Sequence, residues 1–71
     1  MSDIELSNQI SANLSNIRKR LRYTQREVAK IAGLNINYYA KVERGDSVPS
    51  LKTMRKIAKA LEVSITDIVG Y

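Results

Sequence analysis

Polar and charged side chains recur along one face of the segment INYYAKVER, residues 36–44. At about 100° per residue, a helix over this segment would place five side chains together on that face: Ile36, Asn37, Ala40, Lys41 and Arg44. An amide can pair with adenine, a lysine or arginine with guanine or phosphate, and an aliphatic side chain with the thymine methyl group. The pattern favours contact with a DNA major groove, although many solvated helices carry similar residues.

The residues around this face predict two short helices joined by a tight turn. Thr24, followed three residues later by Glu27, matches a reciprocal capping box at the start of the first helix. Gly33 would end that helix, Asn35 would cap the second, and Gly45 would end the second. A helix, a short turn with a glycine and another helix are typical of a helix-turn-helix unit.

The chain resembles the lambda-repressor-like (Cro-type, or XRE) helix-turn-helix proteins over about Leu14 to Val69. The resemblance is carried by TQREVAKIAGL, YAKVERG, PSLKTMRKIAKALEVS and ITDIV. It implies an all-α, compact five-helix DNA-binding domain, with the helix-turn-helix unit at residues 24–45 formed by helices 2 and 3. We expect residues 7–71 to form this domain, with residues 1–6 as a flexible arm.

Composition excludes several classes of protein. The 71 residues allow one small domain, and they include no cysteine and no histidine. A disulfide framework, a zinc finger and most histidine-based catalysis are therefore excluded. We expect no enzyme activity, no metal and no cofactor. No apolar run approaches the roughly 20 residues that cross a membrane, and the N-terminus does not resemble a signal peptide, so we expect a cytoplasmic protein without a membrane partner.

Positive charge is concentrated in the middle of the chain. All twelve lysines and arginines lie between Arg18 and Lys59, among only three carboxylates, so this part has a charge of +9. Acidic residues at both ends reduce the net charge of the whole chain to +5. Such a distribution attracts a polyanion. Ribosomal and membrane-surface proteins can have a similar balance, so charge alone does not identify DNA as the partner.

The helix face and the resemblance together predict two sets of DNA contacts. Base-reading residues would be Asn35, Ile36, Asn37 and Lys41. Phosphate-binding residues would be Gln25, Tyr38, Arg44, Ser47 and Lys52. The resemblance implies that Gln25 hydrogen-bonds a phosphate at the N-terminus of helix 2. Packing of Ile36 against the turn is an equally open alternative to base reading.

The resemblance also implies a structural ion pair between Arg18 and Glu43 that locks helix 1 to helix 3. The chain departs from the family pattern close to this pair. Arg22 stands where a glycine is common, which predicts strain or a different cap at the end of helix 1. Tyr39 stands where an aliphatic core residue is usual, so its ring needs space and its hydroxyl needs a partner.

Apolar spacing predicts which residues fill the core and which remain for a partner. Leu51 falls on the predicted core face of helix 4, and Ile31 is one of the apolar residues at helical spacing in helix 2. Ser64 and Asp67 form a second capping pattern at the start of the last short helix. This helix and the residues after it carry more apolar groups than it needs to bury. The resemblance implies a dimer interface there, formed by Ile65, Ile68, Val69 and Tyr71, and simple core packing is the rival interpretation.

These observations predict sequence-specific binding of double-stranded DNA by a homodimer, with repression of transcription from a palindromic operator. One alternative is an antitoxin or a restriction-modification controller, in which DNA binding serves autoregulation and a protein co-regulator takes part. A second alternative is a basic module that binds an acidic protein or a structured RNA. The end of the chain at residue 71 also allows it to be one domain of a longer protein.

Overall fold

The computed structural model describes residues 2–71. This part of the chain contains five α-helices and no strand. The helices are α1 (Asp3–Arg20), α2 (Gln25–Ala32), α3 (Ile36–Arg44), α4 (Leu51–Leu61) and α5 (Ile65–Val69). The predicted all-α, five-helix fold is therefore confirmed. None of these helices combines the length and the apolar character needed to cross a bilayer.

Side-chain caps determine where the helices start. The Thr24 hydroxyl accepts a hydrogen bond from the Glu27 N–H at 3.0 Å, and the Glu27 carboxylate accepts one from the Thr24 N–H at 2.8 Å. Ser64 and Asp67 form the same reciprocal pair at the start of α5. These bonds satisfy backbone donors that have no partner within the helix. The capping boxes predicted from the sequence are confirmed.

Helix α1 begins earlier than the sequence predicts. The Ser2 hydroxyl accepts a hydrogen bond from the Glu5 N–H at 3.2 Å, and acidic side chains in the first turn suit the positive end of the helix dipole. Leu6 packs against the core. The prediction of an arm over residues 1–6 is therefore wrong for residues 3–6, because the polar start contains a capping residue. The first residue of that arm lies outside the described part of the chain.

One core is shared by all five helices. Helix α1 packs against α3 and α5, and α2 packs against α3 and α4. The largest side chains with no solvent exposure, or almost none, are Tyr39, Ile10, Leu14, Ile57, Leu61, Ile68, Val28 and Val42. The predicted core position of Leu51 is wrong, because Leu51 is 55% exposed, and Ile31 of α2 is exposed to the same extent. Their spacing fits an apolar face, but no other helix covers that side of α2 and α4.

Helix α5 closes the core instead of remaining free for a partner. Ile68 is fully buried and Val69 is 8% exposed, and both belong to the central cluster. The Asn13 amide donates a hydrogen bond to the Ile68 carbonyl at 2.8 Å, which ties α5 to α1. The prediction that Ile68 and Val69 form a dimer interface is therefore wrong, since their side chains already pack inside their own domain. Ile65 is half-buried and Tyr71 is exposed.

Within residues 2–71, two residues other than glycine adopt left-handed backbone conformations. Arg22, in the loop between α1 and α2, has φ of 64°, and Glu62, at the end of α4, has φ of 57°. For a residue with a Cβ this conformation costs about 1 kcal/mol or more. The predicted strain at Arg22 is therefore present. Gly45, with φ of 82°, adopts the same region without that cost where the end of α3 approaches α1.

The Tyr39 ring occupies the centre of the core, and its side chain is fully buried. Its hydroxyl has no hydrogen-bond partner among residues 2–71. Burial raises the pKa of this hydroxyl, and the nearby Glu43 carboxylate raises it further, although the two groups do not reach hydrogen-bond geometry. The partner that the sequence predicts for this hydroxyl is therefore missing within the described residues.

Replacing this tyrosine should show that the hydroxyl gives no stability. We expect Tyr39→Phe to leave the free energy of unfolding unchanged or to raise it by up to about 1 kcal/mol, because a desolvated donor without a partner is removed. Urea denaturation would measure the change, with Tyr38→Phe on the half-buried neighbour as the control. A loss of more than about 1 kcal/mol for Tyr39→Phe alone would instead mean that the hydroxyl donates to Glu43 in solution.

Candidate nucleic-acid interface

Helix α3 has one buried face and one exposed face. Tyr39, Val42 and Glu43 are buried against the rest of the domain, whereas Asn37 and Lys41 are exposed. The predicted division of this helix is therefore present. Its packing against α1 and α2 leaves an amide and a cation facing solvent on a helix whose other side is held in the core. Both side chains can donate hydrogen bonds to base edges.

The first residues of α3 combine structural and exposed positions. The Asn35 side-chain oxygen accepts hydrogen bonds from the N–H groups of Asn37 at 2.8 Å and Tyr38 at 3.3 Å. The cap therefore occupies the oxygen of this amide, and its NH₂ group is left for another partner. Ile36 is half-buried against the core and also lines an open groove, so both interpretations of its role remain.

A basic groove lies beside the start of α3. It has a volume of about 590 Å³ and no carboxylate in its lining. It brings together the end of α1, the loop that follows, and the first residues of α2 and α3: Arg18, Lys19, Arg22, Tyr23, Thr24, Gln25, Arg26 and Ile36. Gln25, predicted to bind phosphate, is therefore next to Ile36, predicted to read bases. Arg26 was missed in the sequence, where its only signal was the excess of positive charge.

Arg18 and Glu43 form the ion pair that ties these elements together. An Arg18 Nη atom lies 2.6 Å from a Glu43 Oε atom, and Nε lies 2.9 Å from both carboxylate oxygens. The other Nη atom donates to the Tyr23 carbonyl at 2.8 Å. The two side chains are only 13% and 4% exposed. The Ser11 hydroxyl donates to the Glu43 backbone carbonyl, so α1 holds the end of α3 at two places.

The pair remains ionised despite its burial. Burial by itself would raise the pKa of Glu43, but hydrogen bonds, above all from Arg18, outweigh burial and leave this pKa lowered. The side chain of Gln25 makes a further contribution to this lowering of the Glu43 pKa. The hydrogen-bonded carboxylate in turn raises the pKa of Arg18. Because Arg18 is neutralised by Glu43, it is the one cation in the groove lining that already has an anionic partner.

The other predicted phosphate-binding residues lie away from this groove lining. Arg44 pairs with Asp46 at 3.0 Å, and both side chains are more than half exposed. Lys52, in the first turn of α4, lines a separate shallow depression with Leu51 and Arg55. Ser47 and Tyr38 are half-buried, and the Tyr38 ring packs against the core. The predicted phosphate-binding residues therefore lie on more than one part of the surface, with Gln25 at the groove and Lys52 at the start of α4.

Comparison with known proteins gives a consistent match. Residues 14–68 match the profile of the Helix-turn-helix family HTH_3. The Cryptic phage CTXphi transcriptional repressor RstR of Vibrio cholerae is 37% identical over 62 residues, which cover 87% of this chain and 55% of the repressor. Antitoxin PezA of Streptococcus pneumoniae is 36% identical over 61 residues, covering 86% of this chain and 39% of the antitoxin. The chain thus spans about half the length, or less, of these relatives.

Two solved structures have the same arrangement of helices. The restriction-modification controller protein C.AhdI from Aeromonas hydrophila superimposes with a TM-score of 0.82 at 28% identity, covering 84% of this chain and 91% of the controller. An HTH_3 family transcriptional regulator from Vibrio cholerae superimposes with a TM-score of 0.91 at 30% identity, covering 97% of this chain and 39% of that protein. Together with the sequence matches, they support the five-helix domain described above.

Breaking the buried pair should destabilise the domain strongly. We expect Glu43→Leu and Arg18→Met each to lower the free energy of unfolding by about 3 to 5 kcal/mol, because each leaves one buried charge without its partner. The double variant should recover part of this loss. The exposed pair is the control, and Asp46→Ala should cost less than about 1 kcal/mol in the same urea titration. Equal effects at the two pairs would contradict the assigned role of the buried pair.

The lowered pKa of Glu43 predicts acid sensitivity. The folded state holds this proton less readily than the unfolded chain, so the stabilisation is complete above the unfolded pKa and is lost as pH falls through the folded pKa. We expect the free energy of unfolding to fall between about pH 5 and pH 3. Glu43→Gln should flatten this dependence more than Glu27→Gln. The Glu27 carboxylate is exposed, and the hydrogen bond that it accepts from the Thr24 N–H lowers its pKa. An unchanged slope in Glu43→Gln would contradict the prediction.

Proposed function

Because the chain belongs to the XRE-type helix-turn-helix family of DNA-binding transcription regulators, we propose that it binds double-stranded DNA as a homodimer and represses transcription from a palindromic operator. The observation that carries this proposal is the exposed face of α3. Asn37 and Lys41 face solvent there, beside a groove lined with cations, while the opposite side of the helix is fixed in the core.

In the proposed complex, α3 enters the major groove. The Asn37 amide pairs with an adenine edge, and Lys41 donates to guanine. The NH₂ group of Asn35 is a further donor, and Ile36 can contact a thymine methyl group. Gln25, Tyr38, Arg44, Ser47 and Lys52 bind phosphates on either side and set the angle of the helix. Arg44 reaches a phosphate by exchanging its exposed partner Asp46, which costs little because such surface pairs are weak.

Two further features support DNA as the partner. The charge of +9 between Arg18 and Lys59 is concentrated on the part of the chain that contains α2, α3 and α4. The N-terminus of α2, at Gln25, offers free backbone N–H groups to an anion. A long-range field of this sign speeds the encounter with DNA and makes affinity fall as salt rises.

The proposed homodimer rests on the two-fold symmetry of a palindromic operator and on the solvent-accessible apolar surface around α5. A palindrome is read by two identical helices about 34 Å apart, related by a two-fold axis. Tyr71 is 72% exposed and Ile65 is half-buried, so these two remain available for the contact between protomers. Ile68 and Val69 support this surface from inside the core.

Restriction-modification control is a second candidate that a specific observation favours. The match covers 91% of the controller C.AhdI with a TM-score of 0.82, so the similarity extends over nearly all of that controller. The match to antitoxin PezA, by contrast, covers only 39% of that protein. In a controller or antitoxin, the same operator binding would serve autoregulation, together with a protein co-regulator. A basic module for a protein or an RNA is the remaining alternative.

Selection of binding sites from a random pool of duplexes would test the proposed function. We expect an inverted repeat with half-sites about ten base pairs apart, bound about 10³-fold or more tightly than scrambled DNA. Asn37→Ala and Lys41→Ala should relax preference at individual base pairs by about 1 to 3 kcal/mol. Gln25→Ala and Lys52→Ala should weaken binding to all duplexes. Lys59→Ala, which removes a cation in the last turn of α4, is the charge-matched control.

Each outcome separates the candidate functions. An equal loss on every duplex for all four site variants would contradict base reading by α3. Failure to recover any motif, with affinity that merely falls with salt, would favour the protein or RNA module over the regulator. Recovery of a single half-site by a chain that sediments as a monomer would contradict the homodimer.

A further inference from the structure

Arg22 occupies a position where its backbone conformation is unfavourable for its side chain. Helix α1 ends at Arg20, Leu21 is its C-cap, and Arg22 follows with φ of 64°. Two hydrogen bonds hold this turn, from the Arg22 N–H to the Lys19 carbonyl at 3.0 Å and from the Tyr23 N–H to the Arg18 carbonyl at 3.1 Å. Glycine adopts this conformation without steric cost. The turn therefore does not require an arginine, so any function of this arginine depends on its side chain.

The side chain lies in a setting that is suited to an anion. Arg22 lines the basic groove together with Lys19 and Arg26, and no carboxylate lines the groove with them. Within residues 2–71, the two ion pairs use Arg18 and Arg44, so neither includes these three cations. The carboxylates of the neighbouring helices α2 and α3 are already engaged: Glu43 binds Arg18, and Glu27 accepts the Thr24 N–H.

The groove is also next to the elements that are proposed to dock on DNA. Its lining includes Gln25, the first residue of α2, and Ile36, the first residue of α3. A duplex that places its major groove on α3 would bring one strand's backbone towards this groove. Three cations without carboxylate partners would then face a chain of phosphates, for which the planar guanidinium is well suited.

We infer that Arg22 is a phosphate-contacting residue, which with Lys19 and Arg26 binds the DNA backbone flanking the half-site, outside the recognition helix. This inference rests on the proposed function and deepens it. Binding energy from this contact is independent of sequence, so it raises affinity for every duplex and extends the footprint beyond the bases that α3 reads. Arg22 then lowers the stability of the free domain through its strained backbone and raises the affinity for DNA through its side chain.

Glu62 provides a matched control within the same chain. It is also a residue other than glycine, with a nearly equal φ of 57°, and it also follows a helix. Its side chain is acidic and lines a different groove, with Leu21 and Val63 among its neighbours. Replacing either residue with glycine relieves the same kind of backbone strain. Only the change at Arg22 removes a proposed DNA contact.

Thermal unfolding and DNA titration of these variants would test the inference. The probe is a scrambled duplex of about 20 base pairs, titrated between about 50 and 200 mM salt. We expect Arg22→Gly and Glu62→Gly each to raise the melting temperature by about 2 to 6 °C. Arg22→Gly should also weaken binding by roughly five- to tenfold near 0.1 M salt and reduce the slope of log K against log salt by about 0.9. Glu62→Gly should leave that slope unchanged.

Two further variants separate charge from backbone conformation. Asparagine tolerates the left-handed region and is neutral, so Arg22→Asn should reproduce the loss of affinity and slope. Arg22→Lys keeps the positive charge and should retain the slope. An unchanged affinity and slope in both Arg22→Gly and Arg22→Asn would overturn the inference while leaving the proposed function intact. A wild-type chain that binds no duplex at any of these salt concentrations would overturn the proposed function itself.

Discussion

The buried ion pair between Arg18 and Glu43 is the contact on which the arrangement of the DNA-facing elements depends. Arg18 belongs to the end of α1 and Glu43 to the end of α3, and the same guanidinium binds the Tyr23 carbonyl in the loop before α2. One side chain therefore joins the end of α1, the loop that follows it and the end of α3, which is 25 residues away in sequence. Because the charges are desolvated and oppositely signed, the pair tolerates little change in the relative position of these segments.

This ion pair divides the four cations that line the groove into two groups. Arg18 is neutralised inside the domain, whereas Lys19, Arg22 and Arg26 surround the groove without a carboxylate in its lining. At the end of α1, Arg18 therefore forms a buried ion pair, whereas the next residue, Lys19, lines the groove. The side chain of Gln25, the first residue of α2, also contributes to the lowered pKa of Glu43 in α3. Arg18 is mostly buried and paired, whereas the neighbouring Lys19, Arg22 and Arg26 are exposed, and these exposed cations give the groove a surface suited to a polyanion.

The predictions that succeeded concern contacts between residues close in sequence. Capping at Thr24, Asn35 and Ser64 depends on a side chain and the backbone two or three residues away. Such a contact is available whatever the rest of the chain does, which is why it can be recognised from spacing. The pair of Arg18 and Glu43 is 25 residues apart and could be predicted only through resemblance to a family. The groove beside it, and the part that Arg26 has in its lining, were not predicted.

By itself, the sequence determined the helical class, the helix-turn-helix unit at residues 24–45 and the division of α3 into two faces, because periodicity and caps are local. Only the tertiary structure decided which apolar residues are covered. Ile31 and Leu51 match the helical period of buried residues but are exposed, whereas Ile68 and Val69 are inside the core. The physical reason is that burial depends on which helix lies opposite a side chain. In a domain this small, the five helices of residues 2–71 do not cover every apolar face.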